Sequence, residues 1–522
     1  MAGTATMDFF ESQENARRKT GMLVAYYILA VLLIMAGVYL AFAGTFLGAK
    51  VKSGEEFSIE QLWDLTLFLW VAGGTLFIVI AGSAYKISKL SDGGISVAQM
   101  LGARPISPDT RDPEERKILN VVEEMAIASG TPVPPVFIMD DEKGINAFAA
   151  GFNPGDAVIA VTRGCVHQLS RDELQGVIAH EFSHVLNGDM RLNIRLIGIL
   201  HGILVIGILG FWLFRSSLYS GSARSRNDRG NKLPIVLLGL IVMVIGYVGV
   251  FFGKLIKSAI SRQREYLADA SAVQFTRNPE GIGGALKKIA GYSGGSRLAT
   301  ANAEEASHFF FANGLSSSLA GLMATHPPVT ERIKRIDPSF AGVSSETDKA
   351  DGDTSVSAGT AGFAGSGGRT YKAVPDDVVS GVGAPRPEHI EYAGSLISAL
   401  PVRLREAARE PFGARALIYA LLLDKSEEIR AKQLEHLRQH ADSAVYGETG
   451  KCAELVSSAS EESRLPLVDL AIPALKTLSP DQFKGFRENM RKLVEADRQV
   501  DLFEFALQRI ILRHLEPSFR KV

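Results

Sequence analysis

The sequence predicts an integral membrane protein, mainly α-helical, with a small α+β region containing a short sheet and an all-α domain at the carboxyl end. Three observations predict it. Residues 21–49, 65–85, 196–214 and 233–253 lack Asp, Glu, Lys and Arg over about the ~20 residues that a helix needs to cross a bilayer. Polar sequence with short apolar runs fills residues 86–195, and polarity returns after 253. From 388 to 522, apolar residues recur at helical spacing, as in "DLFEFALQRIILRHL".

The 522 residues are enough for two to four domains. A net charge of −1 offers no basic surface for nucleic acid, which is excluded as a partner. Cys165 and Cys452 are the only cysteines, far apart, so no disulfide framework exists and a reducing compartment fits.

Residues 1–20 form a polar amino terminus, and 21–85 a transmembrane hairpin. Arg17, Arg18 and Lys19 before the first span could mark a signal peptide, but its apolar run far exceeds the roughly 7–15 residues of such a segment. The span is an anchor. With Lys86 and Lys89 after the second span, both ends of the hairpin read as cytoplasmic, joined by an outside loop at "SGEEFSIEQ". The second apolar hairpin, 196–253, conflicts with this rule, since its connecting loop carries Arg215, Arg224, Arg226, Arg229 and Lys232. Either it crosses fully with a basic loop outside, or it inserts only in part; the sequence leaves both open.

Between the hairpins, "DPEERKILNVVEEMAIASG" has Ile118, Val121, Val122, Met125 and Ala126 at helical spacing and a stop at Gly130. "VFIMDD" and "AVIAVT" read as strands, with "INAFAAGFNPG" as strand and turn between them. "SRDELQGVIAHEFSHVLNG" is a delimited helix: Ser170 and Glu173 form a capping box and Asn187-Gly188 ends it. After the second hairpin, "SAISRQREYLADASAVQFT" predicts a helix of about five turns. Residues 86–195 and 254–337 are thus two parts of one domain. Residues 338–387, rich in Gly, Ser, Ala, Thr and Asp, read as a flexible linker to the helical domain 388–522.

The chemistry lies in "HEFSH". Residues four apart on a helix share a face, so His180 and His184 can offer two imidazole nitrogens to one ion, with Glu181 beside them as general base for an attacking water. Zinc suits such a set, because nitrogen and carboxylate ligands leave a position open. A third ligand is required, and Glu265 in "REYLAD" is the best candidate. Asp269, one turn on, can orient a ligand histidine. An isolated E-x-x-x-D would read as a solvated acidic face; H-E-x-x-H upstream tips the balance.

"HEFSHVLNGD", "SRQREYLADA" and "THPPVTERI", in that order and with two apolar segments between the first two, resemble the HtpX-type membrane zinc metallopeptidases, relatives of the CAAX prenyl protease. The resemblance covers roughly residues 20–340. It implies a gluzincin-type α+β catalytic domain holding one zinc ion on His180, His184 and Glu265, with Glu181 as base and Asp269 behind the ligands. It also implies that His326 and Arg332 approach the oxyanion. "NAFAAG" would align an extended substrate, placing Asn146, Ala147 and Phe148 at the cleft. The family's setting implies the bacterial cytoplasmic (inner) membrane, a site facing the cytoplasm, and cleavage of misfolded or unassembled membrane proteins in stress response. The carboxyl end weakly resembles the helical TerB-like modules associated with stress responses, which implies a regulatory module or one that recruits a partner through 388–522.

Other residues take plainer readings. His201 pairs with a neighbouring helix, His308 packs, Cys165 is buried, and Asp189 helps to end the motif helix although it matches the family pattern. Two other functions compete: a processing protease for one dedicated substrate, and a catalytically silent scaffold. An intramembrane protease is disfavoured because the motif helix begins "SRDELQG", too polar to span.

Overall fold

The computed structural model describes residues 25–47 except 27 and 46, together with 63–90, 93–219, 229–291, 296, 310–312, 326–340, 385–496 and 502–519. The amino-terminal 20 residues, the loop containing "SGEEFSIEQ", the basic loop around Arg226, His308 and most of the 338–387 segment lie outside them.

The chain is mainly helical. Helices α1 (Ile28–Thr45) and α2 (Leu65–Lys89) are followed by α3 (Gly94–Met100) and a two-residue strand β1 (Arg104–Pro105). Next come α4 (Pro113–Ser129), β2 (Val136–Met139), β3 (Ala147–Ala150), β4 (Val158–Thr162) and α5 (Arg163–Gln168). Helices α6 (Arg171–Asn187), α7 (Asp189–Tyr219), α8 (Arg229–Thr276), α9 (Pro279–Gly291) and α10 (Val329–Ile336) follow. The sheet has the order β1-β2-β4-β3. β2 and β4 are parallel, and the outer pairs β1–β2 and β3–β4 are antiparallel.

Local sequence explains the helix limits. Asp112 caps α4, accepting hydrogen bonds from the Glu114 and Glu115 amides, and Pro113 fills its first turn. Gly130, in the left-handed region at φ 65°, ends it. The Ser170–Glu173 capping box opens α6, and Gly188 closes it at φ 71°.

Among the described residues, four helices are long and apolar enough to cross a membrane: α1, α2, Asp189–Leu218 of α7 and Pro234–Ile256 of α8. Trp70 and Phe77 on α2 are 78% and 72% exposed, apolar surface suited to lipid rather than water. Small residues let the helices close on one another. A Cβ on Gly246 would lie 2.3 Å from the Gly207 nitrogen, so α7 and α8 meet backbone to backbone.

One element departs from the sequence reading. The fourth apolar block and the helix of "REYLAD" are continuous, forming a single 48-residue α8. Neither Gly253 nor any residue after it supplies a stop, and the only proline inside α8, Pro234, is near its start. Likewise α6 passes into α7 through Gly188 alone. The two helices bearing the H-E-x-x-H and Glu265 are thus joined directly to apolar helices. Glu265 lies nine residues, or about 14 Å of helix, beyond Ile256.

Residues within 400–515 build a second hydrophobic core from helices, among them Val402–Arg409 and Arg464–Leu475, while Ile390 and Ala393 of the preceding helix Pro387–Ala399 join the first core, beside α4. These helices dock on the outer face of α4. Arg409 forms a buried ion pair with Glu123, its Nε donating to Oε1 at 2.9 Å, and donates to Asn120 at 2.8 Å. Burial pushes the Glu123 carboxyl up although Arg409 opposes it, so Glu123 depends on this partner. Breaking a buried pair from one side costs about 3–5 kcal/mol. Arg409→Ala is therefore expected to lower the melting temperature and open new protease cuts near residues 385–410. Adding Glu123→Leu should recover much of the loss; an unchanged cleavage pattern in the single variant would remove this pair from the docking.

Candidate active site

α6 turns His180 and His184 to one side, and α8 brings Glu265 across to meet them. The two Nε2 atoms are 3.2 Å apart, and each is 3.5 Å from a Glu265 carboxylate oxygen. Around an ion with bonds of about 2.0–2.2 Å, tetrahedral ligand atoms stand roughly 3.3–3.6 Å apart, close to what these three show. The far side of each ring explains the aim. His180 Nδ1 lies 3.0 Å from Asp269 Oδ1, and His184 Nδ1 lies 2.8 Å from Asp189 Oδ2. With each proton on the nitrogen beside the carboxylate, both rings turn Nε2 toward the shared side. Two facing lone pairs repel unless a cation sits between them.

The electrostatics agree. Burial lowers the proton affinity of both imidazoles, yet the surrounding carboxylates raise it overall: Asp269 and Glu265 for His180, Glu265 for His184. Burial pushes Glu265 up, but His326, His180 and His184 outweigh it and hold it well below the usual carboxylate range. Four buried carboxylates, Glu181, Asp189, Glu265 and Asp269, meet two guanidinium groups, Arg264 and Arg332. The donor set therefore fits a metal ion.

Glu181 is fully buried, and neither of its carboxylate oxygens has a hydrogen-bond partner among the described residues. Burial pushes its pKa up, with His180 and His184 offsetting part of the rise. A charged group left this way is costly for the fold, so its position answers to something other than stability.

His326 stands beside the candidate third ligand, Nδ1 2.9 Å from Glu265 Oε2, and is 2% exposed. Arg332 is fully buried and grips Asp269 with two bonds, Nε to Oδ2 at 2.8 Å and Nη2 to Oδ1 at 2.6 Å. Its Nη1 donates to the Phe311 carbonyl at 2.5 Å and is 3.6 Å from Glu265 Oε2. The contacts of Arg332 thus run mainly to the carboxylate behind His180.

Asn146, Ala147 and Phe148 enter β3 at the outer edge of the sheet, but all three are fully buried. That edge is already paired: the Phe311 amide donates to the Ala147 carbonyl at 2.7 Å, and Phe148 bridges Phe310. The Asn146 side-chain amide donates to the carbonyls of Ser296 and Ala312, tying three segments together. Phe311 in turn lies edge-on to His180, ring centroids 4.9 Å apart.

Two site residues escaped the sequence. Asp189, read as a helix terminator, backs His184, and Arg264, not singled out at all, contacts Asp189. Their signal was position alone: an Asp one residue past the helix stop, and an Arg directly before the third ligand. Cys165 is buried, its thiol pushed up to about 12 by burial and by Glu181. The His201 ring lies 6.4 Å from that of Tyr85 on α2.

Residues 112–339 match the family model described as Peptidase family M48. A Protease HtpX homolog of Dictyoglomus turgidum is 36% identical over 329 residues, covering 63% of this chain and 94% of that one. One of Caldanaerobacter subterraneus is 38% identical over 272 residues, covering 52% and 86%. The crystal structure of S. mikatae Ste24p aligns with 52% of this chain and 64% of that chain at 19% identity. Its TM-score of 0.32 is too low to bear on the fold.

Proposed function

This chain belongs to peptidase family M48 and is a membrane metalloprotease; on that premise we propose that it is a zinc-dependent endopeptidase of the bacterial cytoplasmic membrane. Its site would face the cytoplasm and cut misfolded or unassembled membrane proteins. The observation that carries the zinc reading is the pair of Nε2 atoms 3.2 Å apart, each ring held by a carboxylate at Nδ1.

His180, His184 and Glu265 would hold the ion. When bound, zinc supplies Lewis acidity toward the scissile carbonyl and lowers the pKa of water toward ~7. Glu181, with neither oxygen partnered among the described residues, takes the proton from the attacking water and delivers it to the leaving amine. Its raised pKa suits both tasks. His326 borders Glu265 and is assigned to the carbonyl oxygen, where charge develops. Asp269 and Asp189 fix the imidazole orientations. An extended substrate added to β3 would compete with residues 310–312 for that edge. The helical domain docked on α4 lies beyond the matched family region and is assigned to partner recruitment.

The test is purification in detergent with a chelator, followed by zinc addition. Cleavage of an unfolded model protein should vanish without metal and return near one zinc per chain; cleavage indifferent to chelation would overturn the reading. Orientation is tested separately. Cysteines at Asp141 and Lys425, both exposed, should resist an impermeant reagent in intact cells, and their labelling would invert the topology.

A further inference from the structure

We propose that Arg264 is a positioning residue for His184, the counterpart of Arg332 behind His180. The two ligand histidines have matching supports. His180 rests on Asp269, which Arg332 holds with two hydrogen bonds. His184 rests on Asp189 through Oδ2, and the other oxygen of Asp189 faces Arg264 Nη1. Each chain runs arginine, aspartate, histidine, and both converge on the same three-donor cluster.

The connectivity gives Arg264 a bridging position. It precedes Glu265 on α8, while Asp189 is the first residue of α7, beyond the Gly188 turn. The contact therefore joins the helix of the third ligand to the helix that follows the second. Asp189 is only 3% exposed at its side chain, where an uncompensated carboxylate is costly. With Arg264 in place the carboxylate stays aligned, and the His184 ring keeps Nε2 toward Glu265. Without Arg264, Asp189 is free to turn toward water or toward the cation, and the ring loses its fixed tautomer.

Two roles for Arg264 predict opposite signs. If it acted only as a positive charge, removing it would draw a cation in more tightly. If it positions His184 through Asp189, removing it weakens binding, because loss of such outer contacts typically costs about 10- to 100-fold in metal affinity. The inference rests on the metal reading of this site, so the experiment separates the two. The full-length chain, purified in detergent and stripped of metal, is titrated with cobalt(II) against a competing chelator while its visible absorption is recorded.

Arg264→Ala is expected to bind cobalt about 10- to 100-fold more weakly, with a changed ligand-field spectrum and a lower melting temperature of the metal-free form, because Asp189 loses its partner; Asp189→Asn removes the carboxylate itself and should weaken cobalt binding at a smaller cost in stability. Arg264→Lys keeps the charge on a differently shaped head that does not reproduce the guanidinium's placement, and should recover only part of the loss. In cobalt affinity Asp189→Asn should match Arg264→Ala, and the double variant should be no worse than either single, because both act along one chain. Equal or tighter binding by Arg264→Ala with the unaltered spectrum overturns the assignment, as do additive losses in the double variant. If the unaltered chain binds no cobalt, the metal reading itself fails and this inference with it.

Discussion

Glu181→Gln is expected to keep its fold and its metal while losing nearly all peptidase activity. The amide has the shape of the carboxylate but cannot accept the proton of the attacking water. Loss of a general base typically costs about 10²–10⁴ in turnover, and here the same group also returns the proton to the leaving amine. Stability should move the other way. Burial raises the Glu181 pKa, so the ionised carboxylate weakens the folded state above the ordinary carboxyl range, and an uncharged amide relieves that cost. The variant should therefore melt no lower than the parent at pH 7, and its advantage should shrink as the pH falls toward 4. Glu265→Ala provides the contrast. It removes a metal donor and leaves the His180 and His184 nitrogens facing each other, so zinc content must fall before activity is considered. Zinc content, melting temperature and cleavage of an unfolded protein, measured on both variants, decide it. Undiminished cleavage by Glu181→Gln would remove this residue from the chemistry.

What could be read from the sequence follows from distance along the chain. His180 and His184 share a face because of helix periodicity, and the helix that bears them is bounded by Ser170, Glu173 and Gly188, all within nineteen residues. These are local rules. Glu265 was legible because it lies in a motif of its own, and the structure brings it within 3.5 Å of both histidines although α7 and most of α8 intervene. Asp189, Arg264 and the partner of Arg332 were not legible in the same way, since their meaning depends on how α8 returns beside α6. The occupied edge of β3 is the clearest case. "INAFAAGFNPG" gives the strand correctly, but its pairing with Phe310–Ala312 links segments more than 160 residues apart. Continuity of α8 was missed for a different reason: a change from apolar to polar sequence resembles a boundary, yet nothing in it breaks a helix.

Arg332→Ala decides between two readings of the same residue, and its expected effect is large. A guanidinium that only stabilises an oxyanion can be removed with a loss of about 10²–10³ in turnover and little change elsewhere. The contacts of Arg332 predict a different outcome. Burial disfavours its charge, but Asp269 overcomes this and holds the guanidinium protonated, and Arg332 in turn keeps the Asp269 carboxyl below its usual range. Removing one side leaves a buried carboxylate uncompensated, which costs about 3–5 kcal/mol, and also strands the Phe311 carbonyl that Nη1 serves. Asp269 would then protonate or turn away, and His180 would lose the contact that aims its Nε2. Arg332→Ala should accordingly lower the melting temperature and the zinc affinity together, with activity falling as a consequence. Arg332→Lys restores a charge but not the two-bond grip, so it should recover stability more than zinc affinity. A variant that keeps its zinc and its melting temperature but turns over slowly would return Arg332 to the oxyanion and leave Asp269 to hold His180 unaided.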